Sequence, residues 1–171
     1  MLNSIREMDF ISIIDDINKI SPYQVMPDDD SGVCLYFQTD NGLTYIISFI
    51  KDEGFSDDFD NAYHMMFKEK SNQKGKYDSK VKRTISNIAM CFMKSMERVI
   101  LFICDASDNR EKMRSVLFNR WFNEFNQNGD YYKYDNRFDC DDYSVIFSFI
   151  CSKNYPYITK CIEVVNKCFQ S

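Results

Sequence analysis

The chain has 171 residues, 44% of them hydrophobic and 16% aromatic, and carries a net charge of −5. That length makes one globular domain over residues 1–171 the default and lets roughly 70% of the unfolded surface be buried, while the composition excludes a disordered chain. The acidic balance argues against nucleic-acid binding over the whole surface and allows a basic protein partner.

Cysteine usage points the same way on compartment. Of the seven cysteines, Cys91, Cys104, Cys151, Cys161 and Cys168 lie within apolar segments, and none makes a CxxC pair. A disulfide framework is therefore not expected, and a reducing cytoplasm is. One histidine and no clustered thiols leave no zinc site, and no cofactor motif is present. Acidic residues by position 9 leave no basic leader, and no apolar run approaches membrane-spanning length.

Phe10, Ile13, Ile14, Ile17 and Ile20 recur at helical spacing and predict a first helix over about 4–20, closed by Ser21-Pro22. Residues 21–32, with two prolines and Asp28-Asp29-Asp30, read as a solvated loop and not as a metal site. Asn41-Gly42 between two apolar runs predicts a hairpin of 33–39 with 43–51. A two-residue turn there would put Val33, Leu35, Phe37, Ile46 and Ile50 on one face and Cys34, Tyr36, Tyr45, Ile47 and Phe49 on the other. With neither face polar, the hairpin is expected to lie inside the sheet or to have both sides covered, core being favoured over an aromatic ligand face.

An acidic loop at 52–60 precedes a third strand at about 61–69, whose His64 has no Ser, Cys or acid beside it by spacing. Lys68, Lys70, Lys74, Lys76, Lys80, Lys82 and Arg83 make the one basic stretch, read as a solvated loop and helix start before a docking site. Asp78 or Ser79 can cap a helix over 79–97, whose stripe of Val81, Thr84, Ile85, Ile88, Phe92 and Met96 has a 3.6 period.

Arg98 to Phe125 organises the second half. Val99 to Cys104 is a continuous apolar run suited to a strand covered on both faces. Asp108 with Glu111 three residues on forms a capping-box pattern for the helix that follows. On its helical wheel Met113, Val116, Leu117, Phe118, Trp121, Phe122 and Phe125 make a broad apolar face, with Arg110 and Arg114 in its middle. Lys112, Ser115, Asn119 and Asn123 take the polar side. Arginines aimed at a core need partners, so Asp105, Asp108, Arg110 and Arg114 are the candidate site residues. The favoured reading is a structural ion pair of Asp105 with one arginine. The alternative is an anion pocket built from a guanidinium fork and a helix N-terminus.

Tyr131–Tyr134 and Tyr143–Cys151 read as two strands around an acidic loop, 135–142. Asn154 and Pro156 open a last helix with Ile158, Cys161, Ile162, Val165 and Phe169 inward. The order α-β-β-β-α-β-α-β-β-α predicts an α+β fold, one mixed and mostly antiparallel sheet of about six strands. No P-loop, GxGxxG, GxSxG or HExxH is present.

LYFQTDNGLTYIISF, FDNAYHMMF and ILFICDASDNREKMRSVLFNRWF together resemble a family of small bacterial proteins of unknown function, mainly from Bacteroidetes. The resemblance spans about residues 33–150. Cys104-Asp105, Asp108, Arg110, Arg114, Phe118 and Trp121 are its most specific part. It implies no activity and points only to the Asp105–Arg114 segment.

With no catalytic motif assembled and acidic loops exposed, the expectation is a non-catalytic protein-binding or regulatory module, immunity- or antitoxin-like. The alternative is a sensor or enzyme for a phosphorylated small molecule using Asp105, Asp108, Arg110 and Arg114. Oligomeric state is open.

Overall fold

A computed structural model describes residues 12–28, 34–52, 61–71, 77–96, 98–104, 111–139 and 144–168. Helix α1 is seen over 12–20. After it come β1 (Val25–Pro27), β2 (Cys34–Gln38), β3 (Thr44–Lys51), β4 (Ala62–Glu69), α2 (Ser79–Met96) and β5 (Val99–Cys104). The chain continues with α3 (Glu111–Phe125), β6 (Tyr131–Asp139), β7 (Ser144–Ser152) and α4 (Ile158–Cys168). The strands form one mixed sheet of order β1-β2-β3-β4-β5-β7-β6. The α+β expectation holds, with seven strands in place of six. The chain falls into two compact units, Met1–Ile50 with Met65–Ser95, and Lys51–His64 with Met96–Ser171.

In the first unit the added strand is β1, three residues inside the segment expected to be loop. Asn18 at the end of α1 fixes it, with Asn18 Nδ2 donating to the Val25 carbonyl and Val25 N–H donating to Asn18 Oδ1. Ile13, Ile14 and Ile17 are buried as their spacing requires, but Ile20 is 49% exposed. In α2 the stripe Val81, Thr84, Ile85, Ile88 and Phe92 is buried throughout, and the Asp78 carboxylate accepts from Lys80 N–H at 2.8 Å as its cap.

The β2–β3 hairpin corrects the expected register. The turn is not the two residues Asn41-Gly42 but the three residues Asp40-Asn41-Gly42, inside a Thr39–Leu43 pair. Gly42 N–H donates to the Thr39 carbonyl at 2.9 Å and Thr39 N–H to the Leu43 carbonyl at 2.8 Å. Gly42 supplies the left-handed residue at φ 78°. This is a tight turn followed by a glycine bulge, the usual three-residue connection. The one-residue slip exchanges the faces of β3. Leu35 now opposes Ile47, Phe37 opposes Tyr45, and Tyr36 opposes Ile46. Leu35, Phe37, Ile47 and Phe49 are buried; Cys34, Tyr36, Gln38, Thr44, Ile46, Ser48 and Ile50 share the opposite face, which is partly open. The hairpin lies inside the sheet as expected, with β1 and β4 beyond its two strands, but only one of its faces is fully covered.

In the second unit β4 and β5 run parallel, as a β-α-β passage demands, with Ala62 against Val99 and His64 against Leu101. β7 and β6 add antiparallel strands. Val99, Leu101, Phe147, Phe149 and Cys151 meet Cys161 and Val165 of α4 in a closed core. β6 runs on to Asp139, through part of the expected acidic loop, because its residues alternate. Tyr132, Tyr134 and Phe138 pack on that core, while Lys133, Asp135, Arg137 and Asp139 take the other face.

Candidate functional site

Asp105, Asp108 and Arg110 lie outside the described residues. Arg114 is half-buried on α3. The helix is rotated from the expected setting. Phe118 packs on Phe102 of β5 at 5.6 Å between ring centroids, and Phe125 packs edge-on against Tyr131. Met113 and Val116 are instead 71% and 68% exposed. Asn119, expected on the polar side, faces the sheet because the sheet there is polar. Its Oδ1 accepts from Lys133 Nζ at 2.8 Å, Lys133 also pairs with Asp135, and Asp135 accepts from the buried Ser148 hydroxyl. That closed chain of donors and acceptors fastens α3 and holds Lys133 at 7% exposure. Beside the first turn of α3, Asp139 is held below the ordinary carboxylate range by the Ser144 hydroxyl and Arg137, and in lesser part by Lys112.

His64 has an acid after all. Asp52, next after β3, has its Oδ1 3.6 Å from His64 Nε2. That distance is too long for a hydrogen bond. Among the described residues no group of three metal-ligating side chains is found.

A second cluster closes the first unit at the start of α2. Tyr23 Oη donates to Asp78 Oδ2 at 2.7 Å, and Lys80 Nζ donates to Asp40 Oδ2 at 2.7 Å. The clasp joins Tyr23 between α1 and β1, the hairpin turn and the helix cap, which is a structural duty. Asp78 titrates below its ordinary value, first because Tyr23 donates to it. A depressed carboxylate contributes stability that is complete above its ordinary pKa and lost as pH falls through the lowered value. Tyr23→Phe should therefore cost about 1 kcal/mol at pH 7, and less at pH 3. Urea unfolding of both proteins at the two pH values checks this.

A recess with room for a ligand lies on the open face of the first three strands. Met26, Tyr36 and Ile46 stand side by side in one cross-strand row, by the pairings Met26–Tyr36 and Tyr36–Ile46. Gln38 and Thr44 form the next row towards the turn. Lys70 N–H donates to the Thr44 carbonyl at 2.8 Å, setting the Lys70 side chain at that end; Asp28 N–H donates to the Cys34 carbonyl at 2.9 Å, setting Asp28 at the other. With Pro27 these residues line an open groove of about 610 Å³. Its floor is a thioether, a phenol ring and an isoleucine. Its walls carry an amide, the Thr44 hydroxyl, one cation and one anion. Four residues of strand separate the two charged ends, about 13 Å at ordinary strand rise. The two-residue-turn reading had divided Tyr36 from Ile46, so it could not find this row. The Thr39-to-Leu43 spacing with glycine as the last turn residue was the available signal.

The fold and groove define an α+β protein with one mixed sheet and a small-molecule-sized recess. A model of the family of unknown function DUF6169 matches residues 77–167, more than half of the chain, and the chain belongs to that family. The groove residues precede that span. No curated protein matches the chain. Among solved structures it is similar to a putative phosphinothricin N-acetyltransferase (TM-score 0.44, 11% identity, 70% of each chain covered). It is also similar to the CoA-dependent acyl-homoserine lactone synthase MesI (TM-score 0.39, 11% identity, 88% of this chain and 76% of that one). Both are enzymes by name, and the expectation of a non-catalytic binding or regulatory module, immunity- or antitoxin-like, is withdrawn on that finding. Likenesses at these TM-scores transfer no activity, substrate or residue to this chain.

Proposed function

We propose that this protein binds a small molecule with a flat apolar body and an acidic group in the groove over Met26, Tyr36 and Ile46. The observation that carries the reading is the row itself: three apolar side chains in register under a recess of about 610 Å³, with Lys70 at one end. Recesses of some hundreds of Å³ with an apolar floor and a few placed polar groups are the ordinary form of small-molecule sites. A flat body lies on the Tyr36 ring and Ile46. The acid turns towards Lys70, and Gln38 and Thr44 serve polar substituents. Asp28 repels a second acid and so sets length. Cys34, Cys91, Cys104, Cys151 and Cys161 are free thiols, which supports a reducing compartment such as the cytoplasm. Among the described residues no helix is long and apolar enough to cross a membrane.

The test is calorimetric titration with indole-3-acetate and 4-hydroxyphenylacetate, each beside its neutral amide. Acids should bind more tightly than amides, and Lys70→Ala should remove that preference, a loss of about fivefold for an exposed charge. Tyr36→Ala should cost about tenfold or more for both acid and amide. Binding that neither substitution changes would overturn the assignment.

A further inference from the structure

We infer that β6 is a self-association edge, across which a second copy of this chain adds its own β6 antiparallel to the first. β6 ends the sheet order, nine residues long and paired only with β7 among the described strands. A strand edge of that length is a template for another strand unless something blunts it. Charges are the usual blunting device, and β6 has four, alternating in sign along one face: Lys133, Asp135, Arg137 and Asp139.

That alternation is self-complementary in one register. A twofold axis perpendicular to the sheet keeps each face on its own side, so a residue must sit opposite itself. Centred on Asn136, the pairing sets Asp135 against Arg137 of the second copy and Lys133 against Asp139 of the second copy, each contact occurring twice. All four charges then face the opposite sign across the seam, Arg137 and Asp139 from the surface and Lys133 from beneath α3, where Asp135 and Asn119 already hold it. Centring on Asp135 would set Asp135 against itself and Lys133 against Arg137; centring on Arg137 would oppose Asp135 to Asp139. The same edge therefore repels its neighbouring registers while admitting this one. On the other face the Asn136-centred register places Tyr134 opposite Phe138 of the second copy. Both side chains are partly buried hydrophobics on the α4 core and gain cover from the pairing. The partner is committed by this charge pattern to a second copy of the chain.

Within one chain Arg137 and Asp139 already form a pair, Nε to Oδ1 at 2.9 Å. The double exchange Arg137→Asp/Asp139→Arg keeps that pair and the net charge while turning all four cross-copy contacts repulsive. Sedimentation velocity over a concentration series should show a reversible dimer for the wild-type chain, weakened by added salt. The double exchange should raise its dissociation constant about tenfold or more. Circular dichroism melts confirm that the variant is folded. Amide exchange supplies a second readout: β6 amides should gain protection with protein concentration in the wild type and not in the variant. A wild-type chain that stays monomeric throughout, or a variant that dimerises as well as wild type, overturns the inference.

Discussion

Phe92→Ala should lower the unfolding free energy by about 3–5 kcal/mol, the range for deleting a buried aromatic side chain. Phe92 is 1% exposed, and its ring lies flat on Phe49 at 3.7 Å between centroids. It joins the stripe of α2 to the face of β3 that the hairpin bulge turns inward. Ile88 and Met93, both essentially without exposure, surround the position on the helix and leave little freedom for collapse into the gap. Phe92→Leu should cost much less, about 1 kcal/mol, because it keeps most of the volume. Urea unfolding of both variants checks the pair. A Phe92→Ala loss below that of Phe92→Leu would mean that the ring is not part of the core.

Phe149→Ala should do comparable damage in the second unit, again about 3–5 kcal/mol. Its side chain has no exposure, and the Tyr134 and Tyr132 rings stand 5.5 and 6.1 Å away. The two thiols beside it provide a readout. Burial pushes Cys151 and Cys161 up to about 12, so at pH 8 roughly one thiol in ten thousand is ionised. Both should stay unmodified by a disulfide reagent in the native wild type while more exposed cysteines react. A loss of 4 kcal/mol raises the opened population about a thousandfold, and labelling of Cys151 and Cys161 should accelerate in proportion. Mass spectrometry of the labelled peptides resolves the sites. Prompt labelling of either thiol in the native wild type would contradict the closed core.

The sequence carried most of this fold where periodicity was long. Eighteen residues of α2 held one stripe in phase, and the six apolar residues of β5 had no competing reading. Short or alternating segments were harder. β1 has three residues ending in proline, and a side chain of α1 fixes it, which no local pattern announces. Asp135, Arg137 and Asp139 give the end of β6 the composition of a loop; their partners are one another, Lys133, and Ser148 and Ser144 of β7. Asn41-Gly42 marked the turn correctly but not its length, and one residue of length decides which side of β3 faces the core.

The candidate site followed from the same limits. Asp105, Asp108 and Arg110 were singled out by composition at a strand end and lie outside the described residues. Arg114 sits half-buried on a helix whose setting differs from its apolar stripe, since Asn119 joins the polar chain of Lys133, Asp135 and Ser148 on the sheet. The groove depends on three residues twenty apart in sequence from first to last, brought into one row only by strand register. No spacing rule reads such a row without the register.

The most direct test of the groove is a methyl-resolved NMR titration of the wild-type chain with indole-3-acetate. The ring of a ligand lying on Tyr36 should shift the methyl signals of Met26 and Ile46 in a saturable way, and leave Ile47, on the buried face of the same strand, nearly unmoved. The neutral amide should shift the same methyls at higher concentration. Saturable shifts confined to other methyls, or none at Met26 and Ile46, would contradict the groove as the binding site.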